Sequence, residues 1–356
     1  MQVSTKALLT EVTWAARFLE SKTTIPILST VLFSADGGTL TITATDLEVG
    51  GITSIAGGTG KWAVCVPVKK LIQYLAKVDE SDVTIKASAD HVLIVTHGTN
   101  SMRVTGMSRE AFPELPTFPE PAITLRGLPL AVKRTAFCVS KEESRFTLCG
   151  ANLEIIKGNA NLIAADAHRL GIAPLQIANN DGEYSVNVLI SKFALTEAGK
   201  LDGDCTFALD DNHVFLSWGN RRIISRKLAG NFPDYRRVTG KGEYYGHCML
   251  PAKSTLKVLD RVAVCADERS RAMQFTVKDS KLTLYASTIE TGEAQGSVAV
   301  QQAEGEVEIG LKCEYVAEFL GVTDKQFVSF AWTDKKSIVE FGTGDGYRYL
   351  LMPMRI

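Results

Sequence analysis

Three stretches of the chain repeat the same spacing of apolar and polar positions. They begin at residues 4, 128 and 251, and the residues that share one helical face are Leu8, Val12, Ala15 and Leu19 in the first, Leu128, Val132, Thr135 and Val139 in the second, and Leu256, Leu259, Ala263 and Ala266 in the third. This spacing predicts an amphipathic helix in each stretch. Ser4 and Pro251 stand at helix-start positions, and Pro129 lies just inside a first turn, which supports these starts.

A second helical pattern follows each of these helices, in residues 67–78, 190–201 and 311–322. Between the helices, short runs such as "TLTITATDL", "HVLIVTH" and "RRIISRKLA" alternate apolar and polar residues and are broken by Gly, Asn and Asp. Alternation of this kind predicts antiparallel strands joined by turns. The predicted fold class is therefore α+β, with two helices packed on antiparallel sheets in each repeating unit.

Short motifs repeat with the same period as the helices. "AFPELP" begins at Ala111 and "NFPDYR" at Asn231, which are 120 residues apart. "ATDLEVG" at Ala44 and "AADAHRL" at Ala164 have the same offset, and a weaker copy, "ASTIETG", begins at Ala286. Unrelated α+β segments that resembled each other by chance would not show the same 120-residue offset for two separate motifs. The period is too long for a solenoid repeat, so it predicts like-folded domains in tandem.

Proline and glycine mark the boundaries between these units. Pro113, Pro116, Pro119 and Pro121 mark the first, and "TGKGEYYGH" marks the second. The predicted domains are an N-terminal domain at 1–120, a central domain at 121–243 and a C-terminal domain at 244–356.

Composition narrows the class of protein. Of 356 residues, 45% are hydrophobic and 22% charged, which is typical of a globular protein. No apolar run is long enough for a membrane span, and the first residues lack a signal-peptide core. Seven cysteines are scattered without a C-x-x-C pair, which favours reduced thiols over disulfides or a zinc site. We expect a cytoplasmic protein with no membrane partner and no cofactor.

Catalytic motifs are missing from the sequence. Asp166 and His168 stand two residues apart, and a hydrolase would use such a histidine as a general base. No G-x-S-x-G, H-E-x-x-H, P-loop or G-x-G-x-x-G accompanies them, and the five histidines lack metal-ligand spacing. We expect neither a catalytic residue nor a metal ligand, and hence no enzyme.

Several motifs, taken in order, resemble one known family along the whole chain. They are Thr24-Ile-Pro-Ile-Leu28, Ala44-Thr-Asp-Leu-Glu48, Ala164-Ala-Asp-Ala-His-Arg-Leu170, Phe232-Pro-Asp-Tyr-Arg-Arg-Val238 and Met352-Pro-Met-Arg355. In this order they are similar to the bacterial DNA polymerase III beta subunits, the sliding clamps. The sequence departs from the family pattern at Ala165 and Ala167, where the family has Thr and Gly, and at Ile190-Ser191, where it has Val-Pro.

The resemblance implies three tandem DNA-clamp domains in a head-to-tail dimeric ring around duplex DNA. The protein would then be a non-catalytic processivity factor that tethers a polymerase to DNA. The alternative is a peptide-binding scaffold of the same fold that forms no ring.

The resemblance also implies a groove for partner peptides on the side of the last residues. Its positions here would be Leu148, Ala165, Ala167, His168, Arg169, Leu170, Pro233, Arg237, Val238, Ser337, Leu350, Leu351, Met352, Pro353, Met354 and Arg355. Methionine suits such a surface because its flexible side chain adapts to several partners. The implied partners are the DNA polymerase III alpha subunit, the clamp loader, and other polymerases and repair proteins with short apolar motifs.

A clamp that slides along DNA needs weak contacts to the phosphates, and these contacts must not depend on the base sequence. Net charge is −1, so such contacts must be local. The predicted helices carry the candidates Lys6, Lys69, Lys70, Lys133, Arg134, Lys192, Lys253, Lys257 and Arg261. By match to the family, Lys22, Arg145 and Lys192 are the expected DNA contacts; exposed lysine is also common on any protein surface.

Overall fold

The structure is a computed structural model that describes residues 1–20, 23–120, 123–178, 184–239, 244–289 and 292–355. It divides into two compact units, one of residues 1–125 and 201–227 and the other of residues 126–200 and 228–356. These units do not follow the predicted repeats, because strands from the end of the second repeat pair with strands of the first. The domain boundaries near 120 and 243 therefore stay predictions.

All the helices predicted from apolar spacing are present. They are α1 (Thr5–Ala15), α2 (Lys69–Leu75), α3 (Leu128–Thr135), α4 (Lys192–Ala198), α5 (Ala252–Val262) and α6 (Cys313–Val322). The predicted stretches are longer because α1, α3 and α5 each continue into a 3₁₀ turn that keeps part of the apolar face. Ser4 caps α1, and its Oγ accepts a hydrogen bond from the backbone N–H of Ala7 at 3.4 Å.

Antiparallel strands make up most of the remaining chain. They are β1 (Gln2–Ser4), β2 (Val31–Asp36), β3 (Thr39–Thr45), β4 (Val49–Ala56), β5 (Trp62–Val66), β6 (Asp82–Ala87), β7 (Val92–His97), β8 (Asn100–Thr105), β9 (Ile123–Arg126), β10 (Gly150–Ile156), β11 (Asn159–Ala165), β12 (Arg169–Ile177), β13 (Val186–Ser191), β14 (Cys205–Leu209), β15 (His213–Trp218), β16 (Arg221–Arg226), β17 (Gly246–Pro251), β18 (Ala272–Lys278), β19 (Lys281–Thr288), β20 (Gly292–Ala299), β21 (Gln301–Glu304), β22 (Val307–Lys312), β23 (Phe327–Trp332), β24 (Val339–Gly342) and β25 (Arg348–Leu351).

The first unit holds two sheets. One has the strand order β1-β6-β7-β8. In the other the order is β5-β2-β3-β4-β16-β15-β14-β9. β4 belongs to the first repeat and β16 to the second, so their pairing is a junction between repeats that is made by backbone hydrogen bonds.

A buried ion pair reinforces this first junction. Arg221 on β16 donates from Nε and Nη2 to the Glu11 carboxylate of α1, at 2.9 and 3.0 Å. The Thr53 hydroxyl donates to the same carboxylate at 2.6 Å. Burial by itself raises the pKa of Glu11, but these hydrogen bonds outweigh it and hold that pKa below its usual value.

The second unit also holds two sheets. One has the order β13-β10-β11-β12-β25-β24-β23-β17-β21. The other has the order β20-β19-β18-β22. Here β12 of the second repeat pairs with β25 of the third, which repeats the β4–β16 arrangement.

Glycines let the helices approach these sheets closely. A Cβ built on Gly51 of β4 would stand 2.3 Å from Cδ2 of Phe18, and one on Gly171 of β12 would stand 3.1 Å from Sγ of Cys138. The two glycines are 120 residues apart, so the same close packing occurs in two repeats.

Two predictions from the sequence concern the state of the cysteines and membrane-spanning helices. All seven cysteines lie in described residues and are free thiols, most of them buried, as predicted. Within the residues that the structure describes, no helix combines the length and the apolar character needed to cross a membrane.

Candidate functional site: an apolar groove beside the β12–β25 junction

The strands β12 and β25 form the floor of an apolar groove in the second unit. Leu170 is paired with Leu350, and Arg169 with Leu351. The groove has a cavity volume of 230 Å³, below the roughly 300–1,000 Å³ of a drug-sized pocket and suited to one or two inserted side chains. Its lining residues are Leu148, Ala165, Ala167, His168, Arg169, Leu170, Phe232, Pro233, Asp234, Tyr235, Val238, Ile338, Leu350, Leu351 and Met352.

A tight turn before β12 shapes one end of the groove. Asp166 Oδ1 accepts hydrogen bonds from the backbone N–H groups of His168 at 3.0 Å and Arg169 at 3.1 Å. Ala167, between them, has a φ of 74°, which an alanine adopts at a cost. The His168 carbonyl accepts the N–H of Met352 at 2.8 Å, so this turn also fixes the residues after β25.

The same turn occurs in the first repeat with a larger side chain at its centre. Asp46 Oδ1 accepts from the N–H groups of Glu48 and Val49 at 2.9 and 2.6 Å. The residue at positive φ is Leu47, at 76°, and it carries a bulky side chain where Ala167 carries a methyl group.

Side chains of the proline-rich boundary segment after the first repeat cover the sheet beside the Asp46 turn. Leu115 packs so closely over Gly50 that a Cβ there would stand 3.3 Å from Cδ1 of Leu115. The Phe118 ring packs edge-on against Phe215 at 4.8 Å. The side chains of Leu115 and Phe118 thus cover part of the sheet at the first junction.

The segment 232–238 forms the opposite wall of the groove. Phe232 and Tyr235 pack against the groove floor. The Tyr235 hydroxyl donates to Glu154 at 2.7 Å, and Arg236 donates to the same carboxylate at 2.6 Å. Burial and the bond to Glu154 raise the pKa of Tyr235 to about 12. These contacts hold the wall in place and leave Val238 44% exposed at the groove rim.

Arg169 lies beneath the groove and is 8% exposed. Its Nε donates to Asp166 Oδ2 at 2.8 Å, and its Nη2 donates to the Phe137 carbonyl at 2.6 Å. Its Nη1 donates to Glu318 on α6. Since each guanidinium nitrogen is bonded within the protein, Arg169 orients the groove and has no free fork to offer to a peptide.

Most of the groove residues expected from the sequence lie together. Those that line the cavity are Leu148, Ala165, Ala167, His168, Arg169, Leu170, Pro233, Val238, Leu350, Leu351 and Met352. Those that lie outside its lining are Arg237, Ser337, Pro353, Met354 and Arg355. The Ser337 hydroxyl donates to Asp334 at 2.8 Å, and Met354 forms a backbone bridge with Gly310. Arg237 is paired with Asp234 at 3.1 Å beside the groove.

Sequence reasoning missed the lining residues Phe232, Asp234, Tyr235 and Ile338. Three of them belong to "FPDY", the counterpart of "FPEL" in the first repeat, so this repeated motif was an available signal. Ile338 had none, because it reaches the groove only through the pairing of β24 with β25.

The residues expected to contact DNA lie in different environments. Lys22 lies outside the described residues. Arg145 bonds to Glu142 at 3.0 Å and to the Asp166 carbonyl at 3.3 Å, and Lys192 is half-buried at the start of α4.

Arg134 does not belong among the exposed helix cations. It is 3% exposed, pairs with Asp345 at 2.8 Å, and stacks its guanidinium over the Tyr347 ring at 4.9 Å. It therefore joins α3 to the third repeat and is buried away from solvent.

The hydrolase alternative finds no support in this geometry. The Asp166 carboxylate accepts from the backbone N–H groups of His168 and Arg169 and from the Arg169 guanidinium, and these bonds hold the turn. Over the described ranges of the chain, no cluster of His, Cys, Asp and Glu could hold a metal ion.

Three family models match the chain in order. They are the DNA polymerase III beta subunit N-terminal domain over residues 1–116, its central domain over residues 123–234, and its C-terminal domain over residues 243–355. The prediction of three tandem clamp domains is confirmed.

Known relatives agree with these models. The beta sliding clamp of Chlamydia pneumoniae is 29% identical over 347 residues, covering 94% of this chain and 93% of the relative. That of Pseudomonas aeruginosa is 28% identical over 369 residues, covering 99% of each.

Solved structures show the same fold. The DnaN sliding clamp of Pseudomonas aeruginosa bound to griselimycin superposes with a TM-score of 0.92 at 25% identity, covering 100% of this chain and 99% of that one. A Bacillus subtilis DNA polymerase sliding clamp, at 21% identity and a TM-score of 0.93 over 100% and 98%, supports the fold alone. The chain therefore belongs to the DNA polymerase III beta subunit family, the bacterial sliding clamps.

Proposed function

We propose that this sliding clamp closes head to tail with a second copy around duplex DNA in the cytoplasm and binds its partners through the apolar groove. It is a processivity factor for DNA polymerase, and we assign it no catalytic residue, cofactor or metal. The observation that carries the proposal is the apolar groove at the β12–β25 junction, lined by residues of both strands and of the segment 232–238. The partners would be the DNA polymerase III alpha subunit, the clamp loader, and other polymerases and repair proteins.

Two sheet edges support closure of a ring. β8 in the first unit and β20 in the second are edge strands among the residues described, and exposed edges of this kind invite pairing with another chain. Apolar side chains near β20 are bare: Val264 is 76% exposed and Ile289 fully exposed. We infer that β8 of one copy lies against β20 of the other, which would cover both edges and these side chains.

Sedimentation over a wide dilution series tests the ring. The chain has a mass of 38.7 kDa, and we expect a species of twice that mass that persists on dilution. Val264→Glu places a charge in the proposed interface and should give the single-chain mass. Leu130→Glu, at a side chain 43% exposed on α3, is the control and should leave the pair intact. A single chain at every concentration of the unaltered protein would leave only the non-ring scaffold.

Exposed cations on the helices support weak contacts to DNA. Those that are exposed are Lys6, Lys69, Lys70, Lys133, Lys253, Lys257 and Arg261. Spread over α1, α2, α3 and α5, they would face phosphates without reading bases. After the clamp loader places the ring on a nicked circular plasmid, cutting the plasmid once should release it. Retention on the linear product would argue against topological binding.

A further inference from the structure

Helix α6 is connected to the groove through one side chain. Arg169 belongs to the groove floor by its position on β12, yet its Nη1 reaches Glu318 on α6. The Tyr315 ring, also on α6, lies 4.0 Å from the guanidinium carbon, and the Phe137 ring lies 5.3 Å from it. The guanidinium is thus fixed in position by charge on one side and by aromatic stacking.

The same guanidinium holds the turn that shapes the groove. Its Nε donates to Asp166, whose other carboxylate oxygen accepts the N–H groups of His168 and Arg169. Ala167 and His168, which line the groove, therefore sit on a carboxylate whose orientation depends on Arg169. Glu318 itself is absent from the lining of the groove and is bonded to it through Arg169.

A second acid on α6 provides a natural comparison. Glu314 pairs with Arg271 at 3.1 Å and with Lys312 at 3.7 Å, and neither partner lines the groove. The side chains of Glu314 and Glu318 are similarly exposed, at 49% and 44%. The two carboxylates thus share a helix, a charge and a similar exposure, and differ in whether they are bonded to the groove.

We propose that Glu318 is a positioning residue for partner binding, acting through Arg169 to hold the Asp166–His168 turn. This inference rests on the proposed function, that the groove binds partner proteins. Without the Glu318 carboxylate, the buried guanidinium loses a charged partner and shifts toward Asp166 and the Phe137 carbonyl. The turn then shifts, and Met352 at the groove wall shifts with it, because the His168 carbonyl holds the Met352 N–H.

The test measures affinity for the purified DNA polymerase III alpha subunit by surface plasmon resonance. Glu318→Gln should weaken binding by about three- to tenfold, within the range of coupling through contiguous side chains. Glu314→Gln should bind like the unaltered clamp. Sedimentation and thermal unfolding should show that both variants keep the mass and folded state of the parent.

A double-mutant cycle separates this role from a general structural one. If Glu318 acts through Arg169, Glu318→Gln should have no further effect once Arg169 is replaced by methionine. Should that variant unfold, Arg169→Lys, which keeps the charge but not the fork, replaces it. An undiminished effect in this background, or equal affinity of the two glutamine variants, would overturn the inference. Failure of the unaltered clamp to bind the alpha subunit would instead reject the proposed function.

Discussion

Replacing Met352 by alanine isolates the contribution of the groove wall to partner binding. Met352 follows β25 and lines the groove while remaining 44% exposed. Its backbone is held by the His168 carbonyl, a bond that does not depend on the side chain. The substitution should therefore remove apolar surface that a partner would cover without altering the fold around it.

The expected loss of binding free energy follows from the exposed fraction of Met352. Complete burial of a methionine side chain stabilises by about 1.5–3 kcal/mol. Covering the 44% that is exposed would then contribute about 0.7–1.3 kcal/mol. Since about 1.4 kcal/mol is a tenfold change in Kd, Met352→Ala should weaken binding of the alpha subunit by roughly three- to ninefold.

Two control variants sharpen this measurement, which titration calorimetry or surface plasmon resonance can make. Leu130→Ala shortens a side chain of the same exposure, 43%, away from the groove and should leave the affinity unchanged. Met354→Ala should also have little effect, because Met354 bridges to Gly310 outside the lining, although the family resemblance placed both methionines in the groove. Unchanged affinity of Met352→Ala, or an equal loss in all three variants, would refute the assignment.

Two further predictions concern the turn and the first junction. Ala167→Leu introduces the side chain that the first repeat has at Leu47 and should abolish binding of the alpha subunit. Sedimentation should still show the parental mass. Retained binding would mean that the side chain at this turn does not limit access to the groove. Glu11→Gln should lower the free energy of unfolding by about 2 kcal/mol at neutral pH, because Arg221 loses its ionised partner. The Glu11 pKa is depressed in the folded state, so this stabilisation is complete above the unfolded value of about 4.3 and is lost as pH falls through the folded one. Denaturant unfolding at pH 7 and at pH 3 should therefore show a smaller difference between variant and parent at the lower pH, and a constant difference would contradict the assignment.

The helices and the repeat could be predicted from the sequence because both depend on local pattern. The apolar face of α5, for example, follows from the spacing of Leu256 and Leu259 alone. The open groove could not be derived in the same way. It depends on residues from β12, β25 and the segment 232–238 that lie far apart in the chain, with the small Ala167 at the turn. Only the fold brings these residues together.

Charged residues were the harder part of the prediction. Arg134 and Lys133 are neighbours in a basic helical stretch, yet Lys133 is exposed and Arg134 is buried. The partner of Arg134, Asp345, is more than 200 residues away along the chain. Arg169 likewise reads as a surface cation in its motif, and only the fold brings Glu318 to it. Ion pairs between residues so far apart along the chain produce no periodic pattern that a single sequence could show.

The two junctions between repeats also bear on how the sequence can change over generations. At β4–β16 and β12–β25 the repeats are joined by main-chain hydrogen bonds, which every amino acid except proline can complete. Side chains along these seams can therefore be exchanged where they suit their neighbours, whereas the tightly packed Gly51 and Gly171 and the ion-paired Arg221 cannot. The paired segments 49–53, 221–225, 169–172 and 348–351 contain no proline. A join made by the main chain helps to explain how clamps only about a quarter identical keep nearly superposable backbones.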